Sequence, residues 1–217
     1  MGRHHEQMRS HTISRWALVL VGGSLLCACA TPGTHKSGKL EVQDGGFTIT
    51  ERERFAAGVR GDFSRAVELI EQREYEQGIE LLEAVVEAAP HAIAAHIDLG
   101  IALRETGQYE RAVASFQKAL ELNPRHLVAH NELGIAYRKM GRFEDARKSY
   151  ESALSVFPGF HFARRNLAVL CDLYLGDIPC AIEQYEIYAK MVPEDEKVGM
   201  WITDLRNRMA REEESTQ

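Results

Sequence analysis

The chain has 217 residues, with 26 Lys and Arg against 32 Asp and Glu, a formal net charge of -6. Hydrophobic residues at 45% and charged residues at 27% are the balance of a soluble globular protein, and 17 Gly with 6 Pro are too few for a collagen-like or wholly disordered chain. The negative balance and the lack of a clustered Lys/Arg stripe argue against nucleic acid as a partner.

The first predicted element is a targeting segment. Arg3, Arg9 and Arg15 precede the apolar run Trp16 to Leu26, which is too short to span a bilayer as a helix and reads as the n- and h-regions of a secretory signal. Translation starts at either Met1 or Met8, since both leave that arrangement intact. The next residues, Leu26-Cys27-Ala28-Cys29, resemble the lipobox of bacterial lipoproteins: an aliphatic residue, a tolerant position, a small residue and the Cys that takes the lipid. The resemblance implies a signal peptide over 1–28, cleavage before Cys29 and palmitate-type lipidation there. Cys27 at the tolerant position departs from the usual Ala, Ser or Thr. Ala30 follows the lipidated position where Asp would alter sorting, so the resemblance implies the periplasmic face of the outer membrane. Residues 29–50 are rich in Gly and Thr and read as a flexible tether spanning about 25 Å.

The remainder is periodic. Pro90, Pro124, Pro158 and Pro193 set a period near 34 residues, the last interval being one residue longer. Small residues recur in phase at Ala66, Gly100, Gly134 and Ala168, and again at Gly78, Ala112, Ala146 and Ala181. Bulky residues follow at Leu82, Phe116, Tyr150 and Tyr185. Each unit reads as two amphipathic helices joined at a Gly turn, and two helices approach closely only where one side offers no bulk. Beyond Pro193, the spacing of Val198, Trp201, Leu205 and Met209 predicts a further helix with one apolar stripe.

This pattern resembles the tetratricopeptide repeat. Residues 93–126 carry Leu99, Gly100, Tyr109, Ala112, Phe116, Ala119 and Pro124, and residues 127–160 carry Leu133, Gly134, Tyr137, Gly141, Ala146, Tyr150, Ala153 and Pro158. The resemblance implies an all-α solenoid over 51–195 with repeats at about 59–92, 93–126, 127–160 and 161–195. Residues 196–217 would supply a capping helix and an acidic tail.

No nucleophile elbow, phosphate-cradling glycine loop or zinc spacing is present, so neither enzymatic activity, a cofactor nor a metal is expected. His96 and His130 stand where the family has a large packing residue, and read as packing histidines. Of the 4 cysteines, Cys27 leaves with the signal and Cys29 takes the lipid. Cys171 and Cys180 then remain in an oxidising compartment, either as a disulfide across Leu175-Gly176-Asp177 or as two separate buried thiols.

In such a stack the first helices line an inner groove. Its expected surface comprises Phe63, Val67, Ile97, Ile101, Arg104, Asn131, Ile135, Arg138, Phe162, Arg165, Asn166 and Val169. Arg104, Arg138 and Arg165 add cationic forks suited to carboxylates. The resemblance implies a peptide or helix of an envelope or periplasmic protein as partner. The expected role is a lipid-anchored scaffold in assembly of an envelope machine such as a type IV pilus or secretin. Alternatives are an accessory of a TonB-type transport system and an adaptor for peptidoglycan-processing enzymes.

Overall fold

The computed structural model describes residues 55–215, together with two short strands, β1 (Lys39–Gln43) and β2 (Gly46–Thr50). The expected signal peptide 1–28, the lipidation position Cys29 and the start of the tether lie outside the described residues. Two units are distinguished, Met1–Arg52 and Glu53–Gln217.

In the first unit β1 and β2 pair antiparallel, with Leu40 opposite Ile49 and Val42 opposite Phe47. The tether expected over 29–50 therefore contains a regular ladder. Its sequence signal is the pair Asp44-Gly45 flanked by alternating apolar residues, the strongest short-range mark of a two-residue hairpin, and a reading from Gly and polar content passes over it.

The described residues of the second unit are helical throughout. Four helix pairs follow one another: α1 (Ala57–Glu71) with α2 (Tyr75–Ala88), α3 (Ile93–Glu105) with α4 (Tyr109–Leu122), α5 (Leu127–Lys139) with α6 (Phe143–Val156), and α7 (His161–Leu170) with α8 (Ile178–Met191). A final helix, α9 (Lys197–Ser215), packs on α8. Of the expected stripe, Val198 and Leu205 are buried, together with Ile202, while Trp201 and Met209 are half-buried.

The turn inside each pair has one chemistry. Gly107, Gly141 and Gly176 have φ of 79°, 75° and 65°, a left-handed conformation that a residue without Cβ adopts freely. The Gly107 N–H donates to Arg104 O at 3.1 Å and the Gln108 N–H to Leu103 O at 2.8 Å, satisfying carbonyls the helix leaves over. The first pair makes the same turn with Arg73 at φ 65°.

The fourth pair absorbs its additional residue in a defined place. After Leu170 the helix widens into a π-helical turn, Cys171–Leu175, before Gly176 ends it. A π turn accommodates one more residue than an α turn, so Gly176 still meets the position of Gly107 and Gly141.

Helices pack mainly on their chain neighbours, but the first helices also touch one another in succession: α1 with α3, α3 with α5, and α5 with α7. That puts α1, α3, α5 and α7 on the inner side of the curve. Side chains of the inner set also reach back across repeat boundaries. His96 Nε2–H donates to Pro90 O at 3.1 Å, His130 Nε2–H to Pro124 O at 2.9 Å, and Arg164 to Pro158 O at 2.9 Å. These donors are 34 residues apart, and each fastens one repeat to the proline that closes the repeat before it.

Candidate functional site

The inner face is built from repeat positions. Val67, Ile101, Ile135 and Val169 stand 34 residues apart, all half-buried, and form an apolar row open to solvent along one edge. Phe63, Ile97 and Asn131, expected to line the same groove, are buried at 8%, 6% and 4% exposure. They are therefore corrected from open groove surface to buried packing positions, Phe63 lying against the Phe55 ring at 5.2 Å. Asn131 accepts from Asn166 Nδ2 at 2.9 Å and donates to Glu132 at 3.1 Å, so the two Asn residues bond to each other across the α5–α7 boundary. Phe162 is 43% exposed and lies against the rings of Phe160 and His161, with centroids 5.7 and 4.1 Å away.

Two of the three Arg residues, Arg104 and Arg165, already face carboxylates of the chain itself, whereas Arg138 meets only neutral groups. Arg104 pairs with Glu105 at 2.6 Å and with Glu132 of the next repeat at 3.1 Å, its side chain only 17% exposed. It is a clasp between repeats, because a poorly solvated guanidinium needs carboxylates close by. Arg138 instead donates to the phenols of Tyr150 at 3.5 Å and Tyr174 at 3.2 Å, and its guanidinium lies 5.5 Å from the Tyr174 ring centre. Burial pushes the Tyr150 phenol up to about 12 despite Arg138, so the phenol is un-ionised. Arg165 leans on the capping helix, 5.8 Å from the Trp201 ring centre, with Nε 4.0 Å from Asp195.

Cys171 and Cys180 are joined by a disulfide with Cα atoms 5.9 Å apart. It ties the π-helical turn to the first turn of α8. Asp177 caps that helix by accepting from the Cys180 N–H at 3.1 Å, and it also accepts from Arg147 at 2.9 Å. The Arg147 hydrogen bond holds its carboxyl below the ordinary 3.8. The two sulfurs and this carboxylate lie within 4.8 Å of one another. The sulfurs are bonded to each other and the carboxylate is engaged, so this cluster offers no ligand set for an ion. His126, four residues before His130, caps α5 through Nδ1, which accepts from the Ala129 N–H at 3.1 Å.

Sequence reasoning missed the Arg104–Glu132 clasp and the latches onto Pro90, Pro124 and Pro158. The latches had a signal, since His96, His130 and Arg164 recur at one repeat position. No described helix is long and apolar enough to cross a membrane.

Two models of the tetratricopeptide repeat match the chain, over residues 61–126 and 103–164. Among solved structures, a MamA from Desulfovibrio magneticus RS-1 is similar with a TM-score of 0.65 at 20% identity, covering 72% of this chain and 88% of that one. A thermophilic tetratricopeptide-repeat protein of Thermus thermophilus, TTC0263, is similar with a TM-score of 0.58 at 22% identity, covering 68% of this chain and 80% of that one. At these identities the likeness is one of fold. No curated protein matches the chain. Residues 61–164 match the tetratricopeptide repeat, and the helical unit that contains them has the solenoid fold of such repeats.

Proposed function

We propose that the protein is a non-enzymatic scaffold, held at the periplasmic face of the outer membrane by lipid on Cys29, which binds an envelope protein along its inner groove. The observation that carries the binding part is the apolar set Val67, Ile101, Ile135 and Val169, half-buried at one position of four successive repeats. Interior packing accounts for the buried position beside it, and the set is left with apolar surface that a partner segment would remove from water. The anchoring part rests on Leu26-Cys27-Ala28-Cys29 after a short apolar run. Assembly of a pilus or secretin is the setting this reading favours.

A photo-reactive residue placed at Ile101 or Ile135 of the full chain tests the groove in intact cells. One envelope protein should be captured from both positions and not from exposed Lys118 on α4. Capture from Lys118 alone moves the site to the outer face. Mass spectrometry of the mature N-terminus tests the anchor, where a diacylglycerol-modified Cys29 is expected and any other N-terminus rejects it.

A further inference from the structure

Arg104 and Arg138 occupy the same position in successive repeats, yet their surroundings differ in charge. The carboxylates that hold Arg104 come from Glu105 and Glu132. Moved on by one repeat, those two positions are Lys139 and Asn166. Asn166 is neutral and turned to Asn131. Lys139 is exposed, has the same sign as its neighbour, and makes no ion pair among the described residues. Arg138 therefore keeps a half-buried guanidinium whose partners are two phenols and a ring, none of them an anion.

Among the described residues no carboxylate pairs with Arg138, and three acids of the third and fourth pairs have other partners. Asp145 pairs with Arg142, Asp177 with Arg147, and Asp172 with Arg208. A cation withdrawn from water and left without a counter-ion is costly, so the pair Arg138–Lys139 is poised for an acid from outside.

Beside it lies an apolar ledge. The π-helical turn presents Leu173 and Tyr174 at 44% and 41% exposure. Tyr174 is steadied by the Phe143 ring at 5.0 Å as well as by Arg138, and the turn itself is pinned by the Cys171–Cys180 bond. Exposed apolar side chains held this rigidly lose little freedom when a partner covers them.

We propose that Arg138, Lys139, Leu173 and Tyr174 form a docking site for an acidic amphipathic segment of a partner protein. An Asp or Glu carboxylate pairs with Arg138 and Lys139 while an adjacent apolar side chain lies on Leu173 and Tyr174. The charge complementarity selects this occupant. The proposal rests on the groove reading and names the chemistry of the segment bound at the groove's far end.

The probe is a dye-labelled peptide of about ten residues alternating Glu and Leu, with a Gln–Leu counterpart, titrated against the full chain by fluorescence anisotropy. The Glu peptide should bind at least about tenfold more tightly, and R138Q/K139Q should remove that preference. Because Arg138 also contacts buried Tyr150, the single K139E change at an exposed position supplies a variant that keeps the fold, and it too should abolish the preference. Equal binding of the two peptides, or a preference untouched by K139E, overturns the site. Sedimentation of the full chain covers the other occupant: a dimer dissolved by K139E means that a second copy fills the site, and overturns the separate partner. Lost charge preference with crosslinks from Ile101 and Ile135 intact rejects this site alone, whereas absent crosslinks from those positions reject the groove.

Discussion

The Cβ that Gly100 lacks would stand 2.5 Å from Cε1 of Phe116, and the same distance separates an added Cβ at Gly134 from Cε1 of Tyr150. A ring on the second helix thus fills the space that the first helix leaves empty. Changing Gly100 to Ala should overpack this crossing and cost on the order of 1–3 kcal/mol, since both ring and helix are held by neighbours on every side. The first repeat fills the equivalent positions with fully buried Ala66 and Leu82. Adding Phe116→Leu to Gly100→Ala should therefore recover part of the loss. Denaturant unfolding of the two single variants and the double measures the coupling, and strict additivity would refute the crossing.

Arg73 holds a left-handed turn with a side chain that disfavours it. A Cβ there costs on the order of 1 kcal/mol, partly offset by the entropy a Gly loses on folding. Arg73→Gly should raise stability by about 0.5–1 kcal/mol, because Arg73 is exposed and no packing is removed. A lower melting midpoint would show that Arg73 contributes a contact beyond its backbone.

The Cys171–Cys180 bond spans a sequence separation of 9. By chain entropy it should stabilise the solenoid by about 2–3 kcal/mol. Replacing both Cys with Ser should show that loss in denaturant unfolding, with amide exchange accelerated first over the π-helical turn. Two free thiols in protein isolated from cells without reductant would overturn the pairing in the cell.

Burial holds His96, His130 and His161 below the ordinary 6.5. Lys118 adds to the lowering at His96 and His126 adds to it at His130, whereas Glu121 opposes it at His96. The folded state therefore takes up protons less readily than the unfolded one. Stability is complete above the unfolded value of about 6.5 and is lost as pH falls from there through the lowered folded values. Melting midpoints should fall between about pH 7 and pH 5. His96→Gln with His130→Gln should flatten that slope, as Gln can still donate to Pro90 O and Pro124 O without titrating. An equal slope in the variant would assign the dependence to His161 or to carboxylates.

The helix pairs and their crossings were legible because the geometry of a crossing permits only a few residue types: Gly100 with Phe116 and Gly134 with Tyr150 announce themselves at fixed spacing. The capping helix was legible for the same reason, through Val198, Trp201 and Leu205. What lay outside the pattern depended on neighbours the sequence does not rank. The interval from Pro158 to Pro193 showed an additional residue, but its absorption at Cys171–Leu175 is a choice among turns made by packing. Phe63 and Val67 look alike in sequence, yet Phe63, stacked on Phe55, is buried and Val67 only half-buried. Arg104 and Arg138 also look alike until the residues beside them and one repeat onward are compared.

The latches from His96, His130 and Arg164 give the solenoid a mechanical character. A pull applied at Glu53 would reach α1 and α2 first, the pair that has no proline carbonyl behind it to hold. Each later pair would yield only after its own latch opened, so extension should come in steps of one repeat, each releasing about 110 Å of contour. The fourth step should be shorter in the oxidised chain, because the Cys171–Cys180 bond withholds the residues between those cysteines from the load.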